Sequence, residues 1–130
     1  MVLNHSDDAK PIYVQIAEWL ETEIIHEHFQ MDEKVFSQYQ LAEMFTINPA
    51  TAAKGLNILV DKGILYKKRG LGMFVTKNAK QVILVERKEQ NFKKLVYELV
   101  LEAYRLSIEE EEIIKLVQEM NQEVKGGEKK

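Results

Sequence analysis

Residues 48–75 read NPATAAKGLNILVDKGILYKKRGLGMFV, and the period of the apolar side chains changes halfway through. Asn48 is a preferred N-cap residue. Pro49 suits the first helical position, where a missing N–H costs nothing. Behind them Ala52, Leu56, Leu59 and Val60 share one helical face, with Ala50, Lys54, Asn57 and Asp61 opposite. Gly63 stands where a helix would end. Beyond it the apolar runs are short. Ile64-Leu65-Tyr66 and Met73-Phe74-Val75 flank Lys67-Lys68-Arg69-Gly70-Leu71-Gly72. The pattern predicts a helix followed by a hairpin with a basic, glycine-containing turn.

Upstream, Pro11 opens an amphipathic helix. Ile12, Ile16, Leu20 and Ile24 recur every four residues, with Ala17 and Trp19 beside them. Ser37 followed by Gln40 reads as a capping box for a short helix carrying Leu41, Ala42, Met44 and Phe45. Residues 11–77 therefore run helix, helix, helix, hairpin. Downstream, Val82 to Val85 is ambiguous between strand and helix, and is read as the start of a long helix. Phe92, Leu95, Leu99, Ala103 and Leu106 form its stripe, widened by Val96 and Val100. Ser107 and Glu110 read as a second capping box. Ile113, Val117, Met120 and Val124 continue until Gly126-Gly127 ends the helix, and Glu128-Lys129-Lys130 is expected to be disordered. Two such helices cannot close a core of their own. Phe92, Leu95, Val96, Leu99, Ala103, Ile113, Val117 and Met120 are therefore expected to meet a second copy of the chain. The expected fold is mainly α with a small β-hairpin. Residues 1–77 form a winged helix-turn-helix and residues 78–130 a two-helix dimerisation arm.

The net charge of −3 over 130 residues conceals a partition. Residues 1–50 carry two cations against nine anions, residues 51–77 six against one, and residues 78–130 ten against eleven. A basic block of 27 residues thus sits inside an acidic chain, and local concentration of charge is what attracts phosphate. With 45% apolar residues the chain can build a core. The absence of cysteine excludes disulfides, thiolate metal sites and cysteine nucleophiles. No run approaches the ~18 apolar residues of a membrane span. Met1 to Ser6 lacks the apolar segment of a signal peptide, so a cytoplasmic protein is expected.

Three helices followed by a basic hairpin is the order of a winged helix. A helix entering the major groove needs small or hydrogen-bonding residues in its opening turns, and Asn48, Pro49, Ala50 and Thr51 supply them, with Lys54 on the outward face. Thr51 is as well suited to capping or packing as to contact. The wing needs cations at its tip and glycine where backbone approaches a sugar–phosphate chain; Lys68, Arg69, Gly70 and Gly72 provide both. Ser37, Gln38 and Tyr39 open the second helix, whose N-terminus favours an anion. Double-stranded DNA is the expected partner. Lys62 and Lys77 are expected to be solvated.

These residues carry a family resemblance. Pro11-Ile12-Tyr13-Val14-Gln15-Ile16, Ser37, Leu41-Ala42, Asn48-Pro49-Ala50-Thr51, Leu56, Gly63-Ile64 and Arg69-Gly70-Leu71-Gly72-Met73-Phe74-Val75 together resemble the GntR family of bacterial transcription regulators. The Asn-Pro opening and short helical tail look most like its YtrA-like branch. The resemblance implies a homodimeric repressor, often linked to transporter operons. Val35-Phe36-Ser37-Gln38-Tyr39 departs from the family's Leu-Pro-Ser, and Tyr39 stands where an arginine commonly contacts DNA. Ala53 stands where many relatives have arginine. Lysine at 54 is a point charge and matches guanine less well than arginine does.

Other chemistries find little support. His26 and His28, two apart on a helix, would face different ways and could not chelate one ion. Glu109 to Glu112 complement a helix N-terminus. No nucleophile–base pair, phosphate loop or paired-carboxylate signature occurs, so neither an enzyme, a cofactor nor a metal is expected. A small-molecule effector would be expected at the dimer seam or in the hinge near residues 76–82. Two alternatives share the pattern: a helical protein-interaction adaptor, and a winged helix that binds RNA.

Overall fold

The computed structural model describes residue 3 and residues 10–128. Six α-helices and one hairpin follow in order: α1 (Ile12–Ile25), α2 (Gln38–Phe45), α3 (Pro49–Asp61), β1 (Leu65–Lys68), β2 (Gly72–Val75), α4 (Ala79–Arg87), α5 (Lys93–Arg105) and α6 (Glu110–Glu128). A π-helical turn, Lys88–Phe92, lies between α4 and α5. The chain divides into two compact units, Met1–Arg87 and Lys88–Lys130.

Capping chemistry sets the helix boundaries in the first unit. The Ser37 side chain accepts a hydrogen bond from the Gln40 amide at 3.1 Å, and the Ser37 amide donates to Gln40 Oε1 at 2.8 Å. This is the expected capping box, with two orphan donors satisfied reciprocally. Asn48 Oδ1 accepts from the Ala50 amide at 2.8 Å, and Pro49 takes the first helical position. At the end of α3, Gly63 turns left-handed (φ +76°). The Ile64 amide then reaches the Leu59 carbonyl at 2.9 Å, and the Gly63 amide reaches that of Val60 at 3.0 Å. Those two bonds close a Schellman motif, and its apolar partners Leu59 and Ile64 are fully buried. Pro11 caps α1 from just outside its first turn instead of occupying it.

The core forms where the apolar faces of these elements meet. Ile16 and Leu20 of α1, Leu41 of α2, Leu56 and Leu59 of α3, and Leu65 and Val75 of the hairpin are essentially inaccessible. Each such side chain stabilises the fold by roughly 1.5–3 kcal/mol relative to exposure. Trp19 packs edge-on to Phe45 with centroids 5.0 Å apart and stacks on Phe36 at 6.1 Å. β1 and β2 are antiparallel, pairing Leu65 with Val75 through to Lys68 with Gly72. Residues 32–35 join them as a short third rung: the Asp32 amide reaches the Val75 carbonyl at 2.8 Å and the Val35 amide that of Met73 at 2.9 Å. The Tyr66 hydroxyl donates to Asp32 at 2.7 Å, which raises the phenol's pKa.

The division after Arg87 differs from the boundary expected after residue 77. Ala79 and Ile83 of α4 are buried in the first unit's core, so α4 belongs with the winged helix. Its far end is tied there by ions. Glu21, buried on α1, lies 3.5 Å from Lys62 and 3.6 Å from Arg87, and Lys62 also binds Glu86 at 2.7 Å. Lys62 is thus paired instead of solvated. Arg87 additionally donates to the Glu18 carbonyl and Thr22 hydroxyl, both at 3.0 Å.

In the second unit two boundaries differ from expectation. Ser107 does not cap α6. It ends α5 with a left-handed φ of +58°. There the Ile108 amide reaches the Ala103 carbonyl at 2.8 Å and the Ser107 amide that of Tyr104 at 3.2 Å, a second Schellman motif. The Glu109 carbonyl accepts the first amide bonds of α6. Nor do the glycines end α6, which runs through Gly126 and Gly127 to Glu128. Of the tail expected to be disordered, Lys129 and Lys130 lie outside the described residues.

Candidate nucleic-acid interface

α2 and α3 meet through a short turn at Thr46–Asn48, and the hairpin follows α3 directly. The first residues of α3 are accessible: Asn48 and Ala50 are exposed, Pro49 and Thr51 half-buried. Ala52, one step further, is completely buried. Small side chains thus face outward while the core face stays apolar. Asn48 Oδ1 and Ser37 Oγ are committed as acceptors to their helix caps. The Ser37 hydroxyl proton and the Asn48 amide protons are the groups left to donate outward.

The hairpin places its two lysines on opposite faces, as strand alternation requires. Lys68 lies over Phe74, 4.7 Å from the ring centroid, and Phe74 stacks on its cross-strand partner Tyr66. Lys67 turns instead toward α2. There it lines a cleft of about 310 Å³ with Lys34, Ser37, Gln38, Tyr39 and Gly72. Arg69 and Gly70 form the exposed turn, closed by the Leu71 amide on the Lys68 carbonyl at 2.9 Å. Gly70 (φ +78°) and Gly72 (φ +118°) both hold backbone conformations costly to other residues. At Gly72 there is a second requirement: a Cβ would meet Lys34 Cε at 2.8 Å.

The structure brings Ser37, Gln38, Tyr39 and Gly72 into one cleft, and adds Lys34 and Lys67, which sequence reasoning left out. Lys67 follows from alternation along β1. Lys34 has no local signal, because it reaches the wing only through its bridge to Phe74. Lys54 is exposed, with its ammonium 4.0 Å from the centroid of the Tyr13 ring on α1.

Charge pairing separates these cations from the rest. Among the described residues, Lys10, Lys62, Lys80, Arg87 and Lys93 have a carboxylate within 4.0 Å. Lys34, Lys54, Lys67, Lys68 and Arg69 have none. Many of the acids upstream are already occupied, Glu18 by Lys10, Glu21 by Lys62, Glu23 by His28 and Glu27 by Lys80.

His26 and His28 lie beyond the end of α1, so the helical-face argument does not apply to them. Their rings meet edge-on at 5.8 Å, and both are exposed. Among the described residues no group of three or more His, Cys, Asp or Glu is placed to hold a metal.

Comparison with known proteins fixes the family. No protein-family model matches the chain. Over 119 residues it is 31% identical to the HTH-type transcriptional repressor YtrA of Bacillus subtilis strain 168, covering 92% of this chain and 91% of the relative. The chain belongs to the GntR family, in its YtrA-like branch. A putative GntR-family transcriptional regulator from Bacteroides thetaiotaomicron superposes on this GntR regulator with a TM-score of 0.74 and 31% identity. That match spans 86% of this chain and 97% of the other. The AraR DNA-binding domain, solved in complex with operator ORX1, matches with a TM-score of 0.55 and 28% identity over 58% of this chain and 95% of that one. The relatives are transcription regulators, not enzymes, and the mainly α winged fold expected from the sequence is theirs. This member of the family is accordingly a DNA-binding transcription regulator. Among the described residues no helix is long and apolar enough to cross a membrane.

Proposed function

We propose that this regulator is a homodimeric repressor that binds an inverted-repeat operator. Each protomer lays the start of α3, from Asn48 to Lys54, in a major groove and its wing in the flanking minor groove. The observation that carries the reading is the set of unpaired cations Lys34, Lys54, Lys67, Lys68 and Arg69. They flank helix starts with small or donor side chains. Those cations neutralise phosphates, while Ser37, Gln38, Tyr39, Asn48, Ala50 and Thr51 set register and read base edges. Tyr39 donates without charge where relatives use arginine. The AraR domain's capture on operator DNA supports the mode.

The second unit supplies the argument for two copies. Phe92, Leu95, Val96, Leu99, Val117 and Met120 are each 45% exposed or more, and Ala103 is buried. Leu99, Ala103, Ile113, Val117 and Met120 also line one groove between α5 and α6, about 460 Å³ with Ile108, Leu116 and Val124. Apolar area on this scale marks an interface. Two-fold symmetry then requires half-sites about one helical turn apart or a multiple of it. Control of a transporter operon, and an effector at the dimer seam or near residues 76–82, extend the same reading.

Operator titration tests it. Arg69→Ala and Lys54→Ala are each expected to weaken binding and to reduce the slope of log affinity against log salt by about one. Unchanged affinity in both variants would move the interface elsewhere, and tighter binding to RNA than to duplex DNA would favour the RNA alternative. A stable dimer that shifts no DNA would favour the adaptor.

A further inference from the structure

We propose that Tyr13 on α1 is a positioning residue for Lys54, fixing that cation at the DNA-facing side of α3; the proposal rests on the reading of Lys54 as a DNA contact. Lysine carries a flexible four-carbon stem, and an exposed one ordinarily samples many rotamers. Here the ammonium sits 4.0 Å from the Tyr13 ring centroid, within the range where the ring's quadrupole attracts a cation. Two further observations show that the fold is built for this contact. α1 and α3 pack unusually close at Gly55, where a Cβ would lie 2.8 Å from the Tyr13 carbonyl oxygen and 3.2 Å from Ile16 Cγ2. The residue adjacent to that contact is Lys54, so the approach permitted by Gly55 sets the ring beside the lysine. Second, no carboxylate among the described residues neutralises Lys54, so the ring orients the charge without cancelling it. An ammonium on an aromatic face keeps its remaining N–H donors for a phosphate oxygen or a base edge. Rotamer freedom that would be lost on binding is therefore lost beforehand, which is how preorganisation raises affinity.

The test is a double-mutant cycle on operator affinity, using the full chain and a labelled duplex carrying the operator. Tyr13→Leu is expected to weaken binding by about three- to fivefold in the wild-type background and to have no effect in the Lys54→Ala background. Tyr13→Phe, which keeps the ring, is expected to bind like wild type. The Lys54 side-chain methylene resonances are expected upfield in wild type and Tyr13→Phe, from the ring current, and at random-coil positions in Tyr13→Leu. A Tyr13→Leu loss of equal size in both backgrounds would show a merely structural role and overturn the proposal. If Lys54→Ala itself leaves affinity unchanged, the interface reading fails and the proposal with it.

Discussion

Thr46 is a β-branched residue with φ +54°, a left-handed conformation in which its Cβ crowds the backbone. It ends α2 and opens the turn into α3, so Thr46→Asn is expected to stabilise the protein by about 1 kcal/mol, read as a higher urea midpoint. Glu21 carries a different cost. Burial holds its carboxyl above the usual 4.5, outweighing the lowering pull of Lys62 and Arg87. For Lys62, burial alone would lower the pKa, but Glu86 and Glu21 together hold it above the usual 10.5. The two directions differ because the Lys62 side chain serves two carboxylates and is 32% exposed, against 5% for Glu21. With its folded pKa raised, Glu21 favours the native state when protonated, so its contribution declines as pH rises from about 4.5 through the raised value. Urea midpoints across that window are expected to fall in wild type relative to Glu21→Gln. The Lys62 contribution is full below 10.5 and lost as pH rises through the higher folded value. Lys62→Met, which leaves Glu21 and Glu86 facing each other without their shared cation, is expected to cost about 2 kcal/mol at neutral pH.

At the scale of elements, α3 and the wing act together, and each has a distinct sensitivity. Asn48→Ala removes the cap on the Ala50 amide, and a loss of about 1 kcal/mol in stability is expected from denaturant unfolding. Gly72→Ala combines a φ of +118° with a clash against Lys34, and is expected to weaken operator binding more than it lowers stability, because the exposed wing tip contributes little to the core. These elements were largely legible beforehand because capping is local chemistry: Asn48-Pro49 and Ser37 with Gln40 decide their helix starts within a few residues. Ser107 with Glu110 has the same spacing and fails. Ile108 has an apolar neighbour in Ala103 to pack against, so the Schellman closure of α5 uses Ser107 first. Lys34 was illegible for the opposite reason. Its place beside Gly72 depends on pairing between residues 32–35 and β2, distant in sequence. The division after Arg87 was hidden likewise, since the burial of Ile83 and the pairing of Glu86 with Lys62 are long-range contacts.

For the whole molecule, the charge partition acquires a structural meaning. The net −3 is an average over acids that are largely paired in the first helices and cations that are unpaired on α3 and the wing. The second unit leaves an apolar groove and several large side chains uncovered, and sedimentation is expected to show a dimer that Leu99→Glu with Val117→Glu converts to monomer. The most direct measurement is anisotropy titration of a labelled duplex containing an inverted repeat from the protein's own upstream region, over a range of salt. The account predicts binding by two protomers per duplex, a steep linear fall of log affinity with log salt, and a shallower slope when Lys54 and Arg69 are both changed to alanine. A flat salt dependence, or the same slope and affinity in that double variant, would contradict it.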